Sequence, residues 1–215
     1  MKACHLLRSI WDAMLPSVVG KSVVAGYLRQ HPDSFGAVVA IGKAASSMLD
    51  GALEVFPDAP VLLVTKDHHV SPALRHRAGL EIIEAGHPLP DARSLEAGRR
   101  LLAFIAAAPA QRPMLFLLSG GGSTLVEVLP EGVSLEDWRR VNAWLLGSGL
   151  DIHAMNAVRK RLSCIKGGRL LEHLGGRRAV VLMISDVPGD DPASIGSGLL
   201  SPGVDVSLPE ALPNW

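Results

Sequence analysis

Cysteine is almost absent: Cys4 and Cys164 are the only two in 215 residues. They stand too far apart to suggest a disulfide framework or a thiolate metal motif, so both read as ordinary reduced thiols of a cytoplasmic protein. Aromatic residues are scarce, with four Trp, four Phe and one Tyr, which leaves no obvious base-stacking platform. Net charge is missing as well. The 21 basic and 21 acidic side chains cancel, without the basic footprint of a nucleic-acid or membrane-surface binder. No apolar run approaches the roughly 18 residues of a membrane span. His5, Arg8 and Asp12 interrupt the segment where a signal peptide needs apolar residues. What is present is 48% hydrophobic residues, enough to bury the core of one generous domain.

Met114 to Thr124, MLFLLSGGGST, organises the rest of the chain. Met114 through Leu118 form an unbroken apolar run, the pattern of a strand buried on both faces in a parallel sheet. Gly120, Gly121 and Gly122 follow, flanked by Ser119 and Ser123. Without a Cβ, such backbone adopts positive φ and lets N–H groups approach an anion closely; a flexible turn would share the local pattern. Gly36 to Gly42, GAVVAIG, is a second buried strand that runs into Lys43 and a helix opening. A lysine there and the unpaired N–H groups of the helix start could hold one anion, although a solvated lysine would fit equally. Neither G-x-x-x-x-G-K-[ST] nor G-x-G-x-x-G occurs.

Val61 to Thr65 and Leu80 to Glu84 add two strands, the second leading to Ala85–Asp91, AGHPLPD, a proline-fixed loop carrying His87. His68 and His69 are adjacent and lack metal-motif spacing. Leu7, Ile10, Trp11, Met14 and Leu15 recur at helical spacing, so Cys4 to Leu15 reads as a packing helix. If Met155 to Lys166 is one helix, Asn156, Arg159, Lys160 and Ser163 share a face opposite Val158, Leu162 and Ile165. That basic face suits an anionic small substrate, as would a solvated charged surface. Ala179 to Ile184, AVVLMI, is the last buried strand and meets Asp186, Asp190 and Asp191. These carboxylates are placed either to hold Mg²⁺ beside phosphate oxygens or to act as turn and cap residues.

Strands alternate with helices, so the expected fold is α/β: an open, mostly parallel Rossmann-like sheet with helices on both faces. Its loops at 42–46, 119–124 and 185–191 would converge on one crevice at strand carboxyl ends. From Gly196 the composition shifts to Gly, Pro, Ser and Leu. Residues 1–198 are therefore read as the domain and 199–215 as a Pro/Gly-rich linker.

Five segments in order, GKA at Gly42, GHPLPD at Gly86, LLSGGGSTL at Leu117, MNAVRKRLSCIKGGRL at Met155 and ISDVPGDDPASIGSG at Ile184, together resemble the class II glycerate 2-kinases. That family also carries a hydroxypyruvate reductase label. The resemblance covers about residues 5 to 200. It implies ATP-dependent phosphorylation of D-glycerate at the 2-hydroxyl, giving 2-phosphoglycerate and ADP with a divalent metal. Lys43 matches the family's active-site lysine, Ser119 to Ser123 its glycine-rich anion loop, and Asn156, Arg159, Lys160 and Lys166 its basic segment. Asp186, Asp190 and Asp191 match its acidic loop, whose assignment to Mg²⁺ follows from carboxylate chemistry.

Ala40 stands where the family usually has glycine, and SGLLSPGV after Gly196 departs from its proline-rich pattern. Family members are about twice this length, which implies a C-terminal domain or a second chain completing the site. An NAD(P)H-dependent hydroxypyruvate reductase is the competing enzyme, weakened by the missing dinucleotide fingerprint. A serine hydrolase lacks its G-x-S-x-G elbow, and a non-catalytic anion-binding fragment is the remaining reading.

Overall fold

The computed structural model describes residues 2–202 and Leu208. Five strands, β1 (Ala37–Ile41), β2 (Val61–Lys66), β3 (Leu80–Ala85), β4 (Met114–Ser119) and β5 (Ala179–Ile184), form one sheet in the order β3-β2-β1-β4-β5. Every pairing is parallel. Among the described residues the α-helices are α1 (Lys2–Val18), α2 (Gly20–Gln30), α3 (Ala45–Leu53), α4 (Pro72–Arg75), α5 (Ala92–Ala107), α6 (Gly122–Leu125), α7 (Leu135–Gly147) and α8 (Ile152–Arg161). The open parallel α/β sheet expected from the sequence is the observed fold. None of these helices is long and apolar enough to cross a membrane.

The chain moves outward from β1 to β3 and returns through α5 to place β4 on the other side of β1. Strand order therefore reverses between β1 and β4. In such sheets ligands bind outside the carboxyl ends of the strands at that reversal. All residues of β1 and β4 are buried, which is why both read as unbroken apolar runs. Side chains alternate between the two layers. Val39, Ile41, Phe116 and Leu118 pack with Leu101 and Ile105 of α5. Val38, Ala40, Leu115 and Leu117 pack with Val24 and Leu28 of α2 and Met48 and Leu49 of α3.

Local chemistry starts the helices as the sequence implies. Asp91 and Ser94 form a capping box on α5, and Ser134 and Asp137 form another on α7. Each satisfies backbone N–H groups that the first helical turn leaves without partners.

Some expectations are corrected. β5 is half-buried along its whole length, because it is an edge strand paired to β4 alone. Segment 4–15 is helical, but its apolar stripe lies on the surface: Leu7 is 66% and Trp11 64% exposed. The basic helix stops at Arg161, short of Lys166. Leu162 leaves helical geometry at φ −101°, ψ 24°, and the following residues turn inward to a buried carboxylate, Glu127. Leu199 and Leu200 are buried in the core, so packing continues past Gly198, while most of 203–215 lies outside the described residues.

Candidate active site

The carboxyl ends of β1 and β4 close tightly on each other. Gly42 turns the chain at φ 128°, and a Cβ there would lie 2.2 Å from Ser119 Oγ; only glycine meets both demands. Lys43 N donates to Gly120 O at 2.9 Å, and Ala44 N donates to Ser119 Oγ at 3.0 Å. Ser119 is buried, so its hydroxyl ties the two loops together. Gly120 passes beneath Asp186, whose Oδ2 would be 2.0 Å from a Cβ at that position. Lys43 Nζ donates to the same Oδ2 at 2.9 Å. The three loops expected to converge therefore meet.

A cleft of about 340 Å³ opens where they meet, with Gly120, Gly121, Ser123, Arg159 and Asp186 among its lining residues. Gly122 is buried at the start of α6. Ser197 Oγ lies 2.8 Å from both Ser123 Oγ and the Asn156 side-chain oxygen. Asn156 Nδ2 also donates to Ser194 O at 3.2 Å. Asn156 is thus buried behind the cleft and braces the segment that closes it.

The basic residues separate. Arg159 is 6% exposed yet lines the cleft, and its Nε donates to Asn142 Oδ1 at 3.1 Å. Burial pushes its pKa down, partly opposed by Glu127. Lys160 is half-buried and lies along Gly167, outside the cleft lining. Burial lowers its pKa against the attraction of Asp191.

Lys166 corrects the sequence reading: it is fully buried, ion-paired with Glu127 and 5.2 Å from the centre of the Trp138 ring. Ser163 Oγ donates to the other Glu127 oxygen at 2.5 Å. Burial pushes Glu127 up and Lys166 down, and their mutual attraction opposes both shifts. Lys166 therefore belongs to the core.

The three aspartates also separate. Asp186 is exposed at the cleft. Asp191 Oδ1 accepts from Ala193 N at 3.0 Å and its Oδ2 from Ser194 Oγ at 2.7 Å. Those bonds hold its carboxyl below the usual range. Asp190 is an exposed turn residue at φ 53°. Among the described residues no three His, Cys, Asp or Glu side chains are grouped to hold a metal, so the trio is not one ligand set.

The sequence reading left His87 and Thr124 without a role, yet both line the cleft. His87 follows β3, and its Nδ1 lies 2.9 Å from Thr124 Oγ1. Its position two residues beyond a parallel strand was the available signal, since that loop opens on the same rim as the other three.

Residues 6–208 match the family described as a domain of unknown function, DUF4147. The chain belongs to this family. A D-glycerate 2-kinase of Thermotoga maritima is 42% identical over 163 residues, 75% of this chain and 38% of that protein. A protein of Agrobacterium vitis with a provisional hydroxypyruvate reductase name is 41% identical over 201 residues, 92% of this chain and 45% of that one. The crystal structure of a glycerate kinase from Thermotoga maritima superposes with a TM-score of 0.83 at 38% identity, covering 92% of this chain and 48% of that one. This DUF4147 chain thus spans about half the length or less of these relatives. They support the glycerate 2-kinase family resemblance carried by the five motifs.

Proposed function

We propose that this DUF4147 chain carries the crevice in which a cytoplasmic glycerate 2-kinase phosphorylates D-glycerate at its 2-hydroxyl, giving 2-phosphoglycerate and ADP. The observation that carries this reading is a pair of anion grips: Lys43, packed against Gly121 and bonded to Asp186 of the cleft lining, and the buried guanidinium of Arg159 from α8 within that lining. A phosphorylated donor and a carboxylate acceptor need two such grips.

Mg²⁺ fits here through one protein ligand. It takes one or two carboxylates, with phosphate oxygens and water completing its shell. Asp186 is exposed beside the glycine loop and suits that part, whereas both oxygens of Asp191 are engaged locally. When bound, Mg²⁺ and ATP supply the phosphoryl group and part of the charge neutralisation. Gly120 and Gly121 allow phosphate oxygens close to the backbone. Lys43 stabilises charge on the transferring group, since phosphoryl transfer depends on positioning and electrostatics. Arg159 orients the glycerate carboxylate. Lys160 and Lys166 have no part in this assignment. The additional length of the relatives leaves a second domain or chain as a contributor to the complete site.

The reductase name borne by the Agrobacterium relative would require a dinucleotide loop after β1, where this chain has I-G-K-A-A without G-x-G-x-x-G. The deciding measurement is ADP formation from MgATP and D-glycerate, together with calorimetric titration of each ligand, for this chain and Lys43→Ala. The kinase reading expects D-glycerate and MgATP to bind, and Lys43→Ala to weaken MgATP binding and abolish turnover. Hydroxypyruvate-dependent oxidation of NADH without glycerate binding would overturn it.

A further inference from the structure

His87 is held at the cleft wall by a side-chain hydrogen bond with Thr124. Thr124 is buried, and its Oγ1 lies 2.9 Å from His87 Nδ1 and 3.5 Å from Gly121 O, the carbonyl just before α6. When the Thr124 hydroxyl donates to Gly121 O, its oxygen accepts from His87 Nδ1. A neutral imidazole with the proton on Nδ1 leaves Nε2 as a hydrogen-bond acceptor. The ring is half-buried at the wall of the cleft that Gly120, Arg159 and Asp186 also line.

The surroundings favour the uncharged ring. Burial lowers its pKa from the ordinary value, Lys43, Lys66 and Arg159 lower it further, and Asp186 alone opposes them. These groups come from the loop after β1, the end of β2, α8 and the loop after β5. The basic form of the imidazole is therefore favoured.

We propose that His87, through Nε2, is the base that receives the proton of the substrate hydroxyl as it attacks the phosphoryl group. This assignment rests on the kinase reading. In the step, the glycerate 2-oxygen forms a bond to the γ-phosphorus, and the bond to the bridging oxygen breaks with its electron pair leaving on ADP. The hydroxyl proton moves to Nε2, giving an imidazolium that keeps its Nδ1–H bond to Thr124 and later releases the proton to water. Thr124 is a positioning residue, because it fixes the tautomer without touching the reacting atoms.

The test combines the tautomer with ligand response. ¹⁵N NMR of the histidine-labelled chain, with His87 assigned by its loss in His87→Gln, should show a neutral ring protonated on Nδ1 at pH 7. Its pKa should lie below the usual value of about 6.5. D-glycerate should shift the Nε2 resonance, whereas 3-hydroxypropionate, which lacks the 2-hydroxyl, should bind without that shift. In turnover, His87→Gln should lower kcat by about 10²–10⁴-fold and remove the acidic limb of the pH profile. A ring protonated on Nε2, or an equal response to both acids, overturns the assignment of His87 and leaves the kinase reading intact. Failure of both acids to bind overturns the kinase reading and this inference together.

Discussion

Lys43 Nζ and Asp186 Oδ2 meet at 2.9 Å across 143 residues of sequence, joining the loop after β1 to the loop after β5. Both side chains are substantially exposed. Exposed pairs of this kind contribute only about 0–1 kcal/mol to folding, and under the proposed kinase reading the juxtaposition is that of a phosphate grip and a metal ligand. Lys43→Met and Asp186→Asn should each leave the urea midpoint almost unchanged while weakening MgATP binding severely. Loss of stability in step with loss of binding would make the pair structural instead.

Two glycines should respond in opposite ways to one methyl group. Gly42→Ala places a Cβ against Ser119 at a backbone angle that L-residues avoid, and should destabilise the fold by about 1–3 kcal/mol. Gly120→Ala meets the tip of an exposed carboxylate that is free to swing aside. It should displace Asp186 from Lys43 at little cost to stability and impair MgATP binding. Thermal melts and calorimetry on the two variants separate these outcomes.

The fully buried pair of Glu127 and Lys166 should behave as a unit. Removing one partner, as in Lys166→Met or Glu127→Gln, strands a polar or charged group and should cost about 3–5 kcal/mol. Glu127→Leu combined with Lys166→Met should be more stable than the single Lys166→Met variant. A double-mutant cycle by urea denaturation measures the coupling, and strict additivity would refute it.

Acid sensitivity should include a local term from Glu84. Its two oxygens accept from Arg75 Nη1 and Nη2 at 2.9 Å, and Oε1 also accepts from His68 N at 2.7 Å. The bonds from Arg75 hold its pKa below the ordinary 4.5, with burial opposing. The native state thus favours the ionised form, and the stabilisation is present above 4.5 and lost as pH falls through the lower folded value. Glu84→Gln should be less stable than the parent at pH 7, and the gap should narrow at low pH. A gap independent of pH would remove the carboxylate from the explanation.

Much of this arrangement was legible because burial on both faces leaves a plain mark in sequence. The runs in β1 and β4 could be recognised at once, and each led directly to a loop of the cleft. β5 carries the same kind of run, but an edge position depends on which strands pair, and AVVLMI contains no record of that. Lys166 entered the site only through the family resemblance, while its partner Glu127 lies 39 positions upstream in sequence. The stripe on α1 established a helix without establishing a cover. His87 stood inside the GHPLPD segment without a role, and its meaning came from Thr124, which only the fold brings within hydrogen-bond distance.

All five strands point the same way, so the sheet has two rims with different freedoms. At one rim Gly120 cannot gain a methyl group without moving Asp186. At the other, Pro109, Ala110, Gln111 and Arg112 are exposed just before β4 begins, a strand's length from the glycine loop. Exposed loop tips of this kind tolerate insertion. A fluorophore, an affinity tag or a sequence drift of several residues placed there would travel with the protein without being felt by its chemistry.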